Sequence, residues 1–205
     1  MSAQNTARHR PFVLCLTGSV AMGKTTAARF FAEAGVPVHD SDAVVHALYE
    51  GEAVPAIEQA FPGSTANGKV DRGKLAAMVL NDRAALRRLE AIVHPLVSAS
   101  RDRFVATQRG VPVVLFDVPL LFETGLDRGC DAVVVVTAPP EVQRQRAFER
   151  PGMTDEKFAA LVAKQMPDAE KRRRADFVVD SSGDFAHTRA QVHDILRRVA
   201  KMKRR

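Results

Sequence analysis

The sequence predicts an α/β fold built on a doubly wound, parallel, five-stranded sheet. Three observations lead to this fold class. An apolar run at residues 11–16 leads into the glycine-rich stretch 18–25, and a helical pattern follows directly at residues 26–34. Valine-rich runs recur at 113–116 and 132–136, as expected of strands that helices cover on both faces. Helical patterns separate these runs, and such alternation is typical of a parallel sheet.

The glycine-rich stretch carries the first functional prediction. Residues 18–25 read G-x-x-x-x-G-K-T between a predicted strand and a predicted helix. In that context the N–H groups at the helix N-terminus attract anions, and the glycines let the backbone bend around phosphate oxygens. Lys24 can reach the β- and γ-phosphates, and the Thr25 hydroxyl can hold Mg²⁺. We therefore predict a bound nucleoside triphosphate whose contacts are Gly18, Ser19, Val20, Ala21, Met22, Gly23, Lys24, Thr25 and Thr26.

The composition is that of one globular domain. The chain has 205 residues, of which 46% are hydrophobic and 26% charged, which suffices for one α/β domain with an insertion. No apolar run approaches the roughly 18 to 20 residues of a membrane span. Residues 1–10 are polar and lack the apolar centre of a signal peptide. We expect a disordered lead-in at 1–10, a solvated basic tail at 201–205 and no membrane partner.

Charge and cysteine content limit the possible partners and the compartment. Much of the net charge of +6 lies at 171–174 and in the tail, and the chain has no Trp and one Tyr to stack on bases; we therefore predict no nucleic-acid partner. An anionic small substrate accounts for the basic residues equally well. Cys15 and Cys130 match neither a zinc spacing nor a disulfide framework. We expect a small buried thiol at Cys15, a reduced, cytoplasmic protein and a monomer.

The other elements follow in chain order. A short strand at 36–38 precedes two carboxylates, Asp40 and Asp42, and ligands of open parallel sheets bind at the carboxyl ends of strands. The pattern is then helical, over segments 43–50, 53–61, 72–81, 84–93 and 96–108. Because this stretch is longer than a normal crossover, we interpret it as an inserted helical subdomain. The remaining predicted elements are strands at 113–116, 132–136 and 177–179 and helices at 141–150 and 185–201.

The chain resembles the dephospho-CoA kinases over about residues 12–200. The resemblance is carried by Leu16-Thr17-Gly18, Asp40-Ser41-Asp42, His94-Pro95, Pro119-Leu120-Leu121-Phe122-Glu123, Gln165 and Ala175-Asp176-Phe177-Val178-Val179. It implies transfer of the γ-phosphoryl group of ATP, with Mg²⁺, to the ribose 3′-hydroxyl of dephospho-CoA, the last step of coenzyme A synthesis. It also implies a single P-loop kinase domain over 11–200, with a core (11–42, 111–150 and 176–200), a helical CoA-binding insertion (43–110) and a lid (151–175).

The chain departs from that family within the loop. Ser19 and Ala21 stand where glycines are common, and Met22 stands where a small polar residue is frequent. Because Ser and Ala are small, phosphate binding should survive if both residues adopt negative φ angles. After the last predicted strand, Ser181 and its neighbours Ser182-Gly183 occupy a place where the family often has asparagine.

The resemblance also assigns catalytic roles. Asp42 is the candidate base for the acceptor hydroxyl; its alternative role is to cap the helix at 43–50. Lys24 and Arg146 are candidates for stabilising the transferring phosphoryl group, and Arg150 for binding the nucleotide, since guanidinium groups match phosphate oxygens. A solvated helix face is the alternative for both arginines. Asp40 or Asp117 could assist Thr25 at the metal through water.

Substrate contacts are inferred in the same way. The candidates are Thr17, Asp42, His94, Leu120 and Glu123. For His94 the alternative is a core histidine ahead of a proline that starts the next helix. The chemistry of Glu123 and Gln165 does not follow from the sequence.

Other functions remain open at this point. Another small-molecule or nucleoside monophosphate kinase with the same loop is the nearest alternative. A guanine-reading switch would need a motif such as Asn-Lys-x-Asp, which the sequence lacks. A nucleic-acid-binding NTPase would show binding that depends steeply on salt.

Overall fold

A computed structural model of the chain describes residues 10–80, 82–108 and 110–203. Most of the predicted lead-in, and residues 204–205 of the predicted tail, lie outside the described residues. The strands are β1 (Phe12–Gly18), β2 (Val38–Asp40), β3 (Thr65–Ala66), β4 (Lys69–Val70), β5 (Val113–Asp117), β6 (Ala132–Thr137) and β7 (Phe177–Asp180). The helices are α1 (Lys24–Glu33), α2 (Ser41–Tyr49), α3 (Val54–Ala60), α4 (Arg72–Val79), α5 (Arg83–Thr107), α6 (Pro140–Phe148), α7 (Asp155–Ala163), α8 (Asp168–Arg174) and α9 (Phe185–Val199).

A five-stranded sheet forms the centre of the molecule's larger unit, with strand order β2-β5-β1-β6-β7. The pairs β1–β5, β1–β6 and β6–β7 are parallel. Every residue of β1 is buried, because this strand has a neighbour on each side and helices over both faces. The predicted α/β fold with a five-stranded parallel sheet is confirmed.

The core of this unit lies between the sheet and helices α1 and α9. Phe30 and Phe31 of α1 are almost fully buried, as are Val192 and Ile195 of α9. Burial of such a side chain is worth about 1.5–3 kcal/mol relative to leaving it exposed. This packing holds α1 against the sheet directly behind the glycine-rich stretch.

Residues Asp40–Thr107 form a second compact unit, here called the helical unit. Helices α2 to α5 surround their own apolar core, which includes Leu48, Ile57, Leu75 and Leu89. The sequence predicted helical segments in this stretch and no strand, but β3 and β4 form an antiparallel hairpin between the segments predicted at 53–61 and 72–81. Its turn is Asn67-Gly68, and both residues have positive φ angles, as a tight two-residue hairpin turn requires.

Two further predictions about helices need correction. A helix boundary was expected at His94-Pro95, but α5 runs unbroken over 25 residues with Pro95 inside it. Proline weakens a helix mainly at the turn before it, and the apolar face of α5 continues to pack on both sides of this position. The polar stretch at 151–175 contains two helices, α7 and α8, which the sequence analysis did not predict.

The cysteines also differ from expectation. Cys15 of β1 and Cys130 form a disulfide, with their Cα atoms 5.9 Å apart, so the expected buried thiol is wrong. Cys15 pairs with Val133 in the register of β1 and β6. The pairing of β1 with β6 brings Cys15 and Cys130, which are 115 positions apart in sequence, close enough to form a disulfide. Spacing along the chain carries no sign of that contact.

Across the described residues, the structure contains no helix long and apolar enough to cross a membrane.

Candidate active site

The phosphate loop, residues 18–25, connects β1 to α1 at the carboxyl edge of the sheet. Gly23 precedes α1 with a φ of +83°, and within the described chain no side chain caps the helix. A Cβ at Gly23 would lie 2.9 Å from Ser181 Oγ, so only glycine fits without displacing a neighbour. The uncapped N-terminus of α1 carries partial positive charge and N–H groups suited to an anion.

Ala21 does not meet the condition set for this loop. Its φ is +60°, whereas a negative angle was the condition under which an alanine there would leave phosphate binding intact. Residue types other than glycine rarely adopt this left-handed conformation, which costs roughly 1–2 kcal/mol. Ser19 is not among the described residues with positive φ. The loop therefore holds Ala21 in a conformation that glycine adopts more readily, and it stores strain there.

Lys24 and Asp117 form the ion pair of the site. Lys24 Nζ lies 2.5 Å from Asp117 Oδ1, and the Asp117 side chain is 8% exposed. Asp117 is the last residue of β5, which pairs with β1, so the sheet register places this carboxylate beside the loop. Thr25 in the first turn of α1 is exposed. The structure thus brings together three residues that the sequence nominated for phosphate and metal binding.

Two glutamine side chains hold the loop at Val20. The Val20 N–H donates to Gln165 Oε1 over 2.9 Å. The Val20 carbonyl accepts from Gln143 Nε2 over 2.9 Å. Gln143 lies on α6 and Gln165 lies between α7 and α8. The shape of the loop therefore depends on the segment that the sequence predicted to be a lid.

Arg146 lies against the other end of the loop. This α6 residue donates from Nη1 to Ser181 Oγ at 2.8 Å and from Nη2 to the Ser181 carbonyl at 2.7 Å. Arg150 is exposed just beyond the end of α6. The structure thus separates the two candidate arginines, and only Arg146 is joined to a residue that contacts the loop.

Glu123 contacts the segment at 151–175. Its Oε1 accepts from the Met166 N–H at 2.8 Å and lies 2.8 Å from Lys171 Nζ, whose side chain is fully buried. Burial acts to raise the pKa of Glu123, but the Lys171 ammonium group beside it and the hydrogen bond from the Met166 N–H outweigh burial and lower the pKa. A carboxylate in this state anchors the segment that carries Gln165.

The other predicted substrate contacts differ in how far they are buried. Thr17 is buried and its hydroxyl donates to the Pro119 carbonyl over 3.1 Å. Leu120 is 39% exposed in the turn after β5. His94 is exposed on α5, so the alternative of a core histidine is wrong. None of these positions by itself tests a contact with substrate.

The two acidic residues after β2 have different roles in the helical unit. Asp40 caps α2: its Oδ1 accepts from the N–H groups of Asp42 at 2.9 Å and Ala43 at 3.0 Å. The alternative role for Asp42, that of the cap, is therefore wrong. Asp42 is exposed in the first turn of α2. Its carboxylate is not used for capping.

Comparison with known proteins places the chain in a family. The dephospho-CoA kinase family model matches residues 12–187. The chain belongs to the dephospho-CoA kinase family. It is similar to the dephospho-CoA kinase of Rhodopseudomonas palustris strain BisB18, with 60% identity over 195 residues, covering 94% of this chain and 98% of that protein. The enzyme of the same name from Bradyrhizobium diazoefficiens is 59% identical over the same shares of both chains.

A solved structure has a similar fold. The Thermus thermophilus protein TT1252 superimposes with a TM-score of 0.84 at 31% identity, over 93% of this chain and 98% of that one. The resemblance stated from the sequence motifs is confirmed by the family match. As a member of the dephospho-CoA kinase family the chain is a kinase, and ATP is its expected phosphoryl donor.

Several contacts of this family member were missed by the sequence analysis. Gln143, Lys171 and Ser181 hold the loop or the 151–175 segment, and no motif pointed to them. Ser181 and its loop partner Met22 are 159 positions apart, and Gln143 and Val20 are 123 apart. Arg101 of α5 was also missed: its Nη2 lies 3.4 Å from Ser41 Oγ, and burial lowers its pKa. Arg101 thus places a desolvated guanidinium group at the start of α2.

Replacing Ala21 by Gly should stabilise the protein. The change removes left-handed strain at φ +60°, although glycine loses more chain entropy on folding. We expect a net gain of about 1 kcal/mol, or a Tm higher by roughly 2–4 °C by circular dichroism. The matched control is Ala160→Gly in the exposed interior of α7, which should lower Tm by a similar amount. Equal destabilisation by both changes would contradict the left-handed conformation.

Replacing Lys171 by Met should destabilise the protein strongly. The change leaves the Glu123 carboxylate without its buried cation, which typically costs about 3 kcal/mol or more. For a chain of this size the expected fall in Tm is roughly 6–12 °C. The double variant Lys171→Met with Glu123→Gln should recover part of that loss, because it no longer holds an unpaired charge.

The stability lost on replacing Lys171 by Met should depend on pH. The folded-state pKa of Glu123 lies below its ordinary value of 4.5. The Glu123–Lys171 pair therefore makes its full contribution to the free energy of unfolding above that pH. The contribution disappears as the pH falls through the lowered pKa. The difference in Tm between the wild type and Lys171→Met should therefore be full at pH 7 and smaller in acid. A difference that does not change with pH would argue against a charged pair.

Proposed function

We propose that this chain transfers the γ-phosphoryl group of ATP to the ribose 3′-hydroxyl of dephospho-CoA, giving coenzyme A and ADP. One observation carries the proposal: a phosphate loop with its Lys24–Asp117 pair lies in a chain that matches the dephospho-CoA kinase family over residues 12–187. Relatives named for this activity are about 60% identical to it. The acceptor is a small molecule, and no nucleic-acid partner is proposed.

Positioning and charge stabilisation supply most of the rate in phosphoryl transfer. In the proposed reaction the N–H groups of residues 18–26, the loop and the first turn of α1, bind the phosphates. Lys24 offers its ammonium group to the γ-phosphoryl group, exchanging Asp117 for phosphate oxygens. Arg146 adds a second cation beside the loop, and Arg150 binds the nucleotide from the end of α6. A mobile lid at 151–175 would exclude water as it closes.

The residues present fit a magnesium ion. Mg²⁺ prefers oxygen ligands and keeps several waters. The exposed Thr25 hydroxyl would be its ligand, with Asp117 or Asp40 acting through water. The Asp117 carboxylate lies beside Lys24 and so close to the phosphate end of the loop. When bound, the ion neutralises charge on the phosphate oxygens and orients them.

Asp42 is proposed as the base that accepts the proton of the acceptor hydroxyl. Two observations support it: its carboxylate is exposed, and Asp40 performs the capping of α2 instead. A general base must reach the attacking oxygen, and a carboxylate engaged with backbone N–H groups is less able to do so. Thr17, His94, Leu120 and Glu123 stay predictions as substrate contacts.

Two properties of the molecule as a whole complete the proposal. We infer a monomer, as the sequence analysis did. We also infer a cytoplasmic location, on the ground that the proposed reaction consumes ATP. The Cys15–Cys130 disulfide gives that location no support, since disulfides are rare in reducing compartments.

The proposal is tested by an acceptor panel. An ADP-release assay with Mg²⁺-ATP should show turnover with dephospho-CoA that far exceeds turnover with adenosine, AMP or shikimate. Mass spectrometry should find coenzyme A as the product, and reactions without acceptor give the background hydrolysis. Turnover with another acceptor and none with dephospho-CoA would replace this proposal by a different small-molecule kinase.

The acidic pair after β2 provides a second test. Asp42→Asn should lower kcat by about 10²–10⁴-fold, because a positioned base is lost, with KM for ATP within a few-fold. Its Tm should not change, since Asp42 does not cap α2. Asp40→Ala should lower Tm by roughly 2–4 °C through the lost cap, with a smaller effect on kcat.

The matched control for the cap is Asp40→Asn, because asparagine caps helices as well as aspartate does. It should keep the wild-type Tm. If Asp42→Asn turns over at the wild-type rate, Asp42 is not the base.

A further inference from the structure

Ser181 links the phosphate loop to Arg146 on helix α6. It is the first residue after β7 and is 5% exposed. Its Oγ donates to the Met22 carbonyl over 2.9 Å, and its N–H donates to the Thr137 carbonyl over 2.9 Å. Its Oγ and its carbonyl both accept from Arg146. One serine thus contacts β6, the phosphate loop and α6.

The chemistry of these groups sets the direction of the hydrogen bonds. A guanidinium group has N–H donors and no acceptor, so Ser181 Oγ must accept from Arg146. The single hydroxyl hydrogen is then left for the Met22 carbonyl, which can only accept. The hydrogen bonds therefore run from Arg146 through Ser181 to the loop. No other arrangement of the hydroxyl hydrogen satisfies both partners.

Two bonds to one residue fix the plane of the Arg146 guanidinium. Its Nη1 lies 2.8 Å from Ser181 Oγ and its Nη2 lies 2.7 Å from the Ser181 carbonyl. A Cβ built on Gly23 would lie 3.6 Å from Nη1, so the guanidinium also lies next to the loop backbone. Within the described part of the chain these bonds use two of the five N–H donors, and the others can serve phosphate oxygens.

We propose that Ser181 is a positioning residue, which holds Arg146 against the phosphate loop so that a nucleotide phosphate meets a guanidinium already in place. A long side chain restrained before its ligand arrives loses less freedom on binding. Ser181 therefore raises nucleotide affinity without touching the nucleotide's reacting atoms. The inference rests on the proposed function only in taking ATP and ADP as the ligands.

A different result is expected if the role of Ser181 is purely structural. Ser181 could act only by bracing the Met22 carbonyl, and its loss would then affect the loop whether or not Arg146 is present. The two possibilities are separated by a double-mutant cycle, because residues that act through one another are not additive. The cycle consists of Ser181→Ala, Arg146→Ala and the double variant.

The dissociation constant of Mg²⁺-ADP, measured by titration calorimetry, is the primary readout. Ser181→Ala removes the hydroxyl bond to Arg146 but keeps the carbonyl bond, and we expect a dissociation constant about tenfold higher. Arg146→Ala should raise it further. In the Arg146→Ala background, Ser181→Ala should add less than a twofold change. An equal factor in both backgrounds, or no change from Ser181→Ala alone, would overturn the proposal.

Steady-state kinetics give an independent readout. Ser181→Ala should raise KM for ATP by about tenfold, while KM for dephospho-CoA stays within twofold. Ser182→Ala, at the exposed neighbouring serine, is the matched control and should leave both values unchanged. A merely destabilised protein would instead lose active fraction, and so apparent kcat, with KM for ATP unchanged.

The test does not depend on a single variant or on the acceptor. Thermal melts identify any variant that fails to fold. If Ser181→Ala does so, Arg146→Lys replaces it: lysine keeps the charge but lacks the planar fork that makes both bonds to Ser181. It should raise the dissociation constant of Mg²⁺-ADP by about tenfold, and wild-type affinity would overturn the proposal. Because ADP binding needs no acceptor, a failure to phosphorylate dephospho-CoA leaves this result intact.

Discussion

The site depends on the burial of β1 at the centre of the sheet. Every residue of this strand is buried, with β5 on one side and β6 on the other, so the strand cannot shift without breaking two ladders. Gly18 ends the strand, and a Cβ there would lie 2.7 Å from the Val136 carbonyl. This close approach of two backbones fixes where the phosphate loop begins. Helix α1, packed by Phe30 and Phe31, fixes where it ends.

The loop between these fixed ends is shaped by side chains from distant parts of the chain. Gln143 and Gln165 hold Val20, and Ser181 holds Met22. The two glutamine contacts do more than satisfy backbone groups, because each comes from a segment that also carries a charged group of the site. Arg146 lies on the same helix as Gln143, and Lys171 follows Gln165 on the segment that Glu123 anchors. Loop shape and charge placement are therefore set together.

The sequence predicted the parts of this site that are local in the chain and did not predict the contacts between distant residues. The loop at 18–25 was predicted correctly as a strand–loop–helix connection, since its glycines and its apolar flanks are adjacent in sequence. Asp117 was nominated because it ends a strand. The loop contacts of Ser181 and Gln143 were not predicted, because each residue meets its loop partner across more than a hundred intervening residues. That Asp40, and not Asp42, caps α2 needed atomic positions, since aspartate caps helices well at either place.

What the sequence alone determined is what local chemistry decides: the five strands of the main sheet, the phosphate loop, the predominance of helix over residues 43–108 and the resemblance to the family. Apolar periodicity, glycine spacing and short motifs lie within a few residues of one another, so no folding is needed to see them. Only the tertiary structure decided the left-handed Ala21, the Cys15–Cys130 disulfide, the passage of α5 through Pro95 and the joining of Arg146 to the loop by Ser181. Each of these rests on packing or pairing between distant segments, and such contacts override local preference.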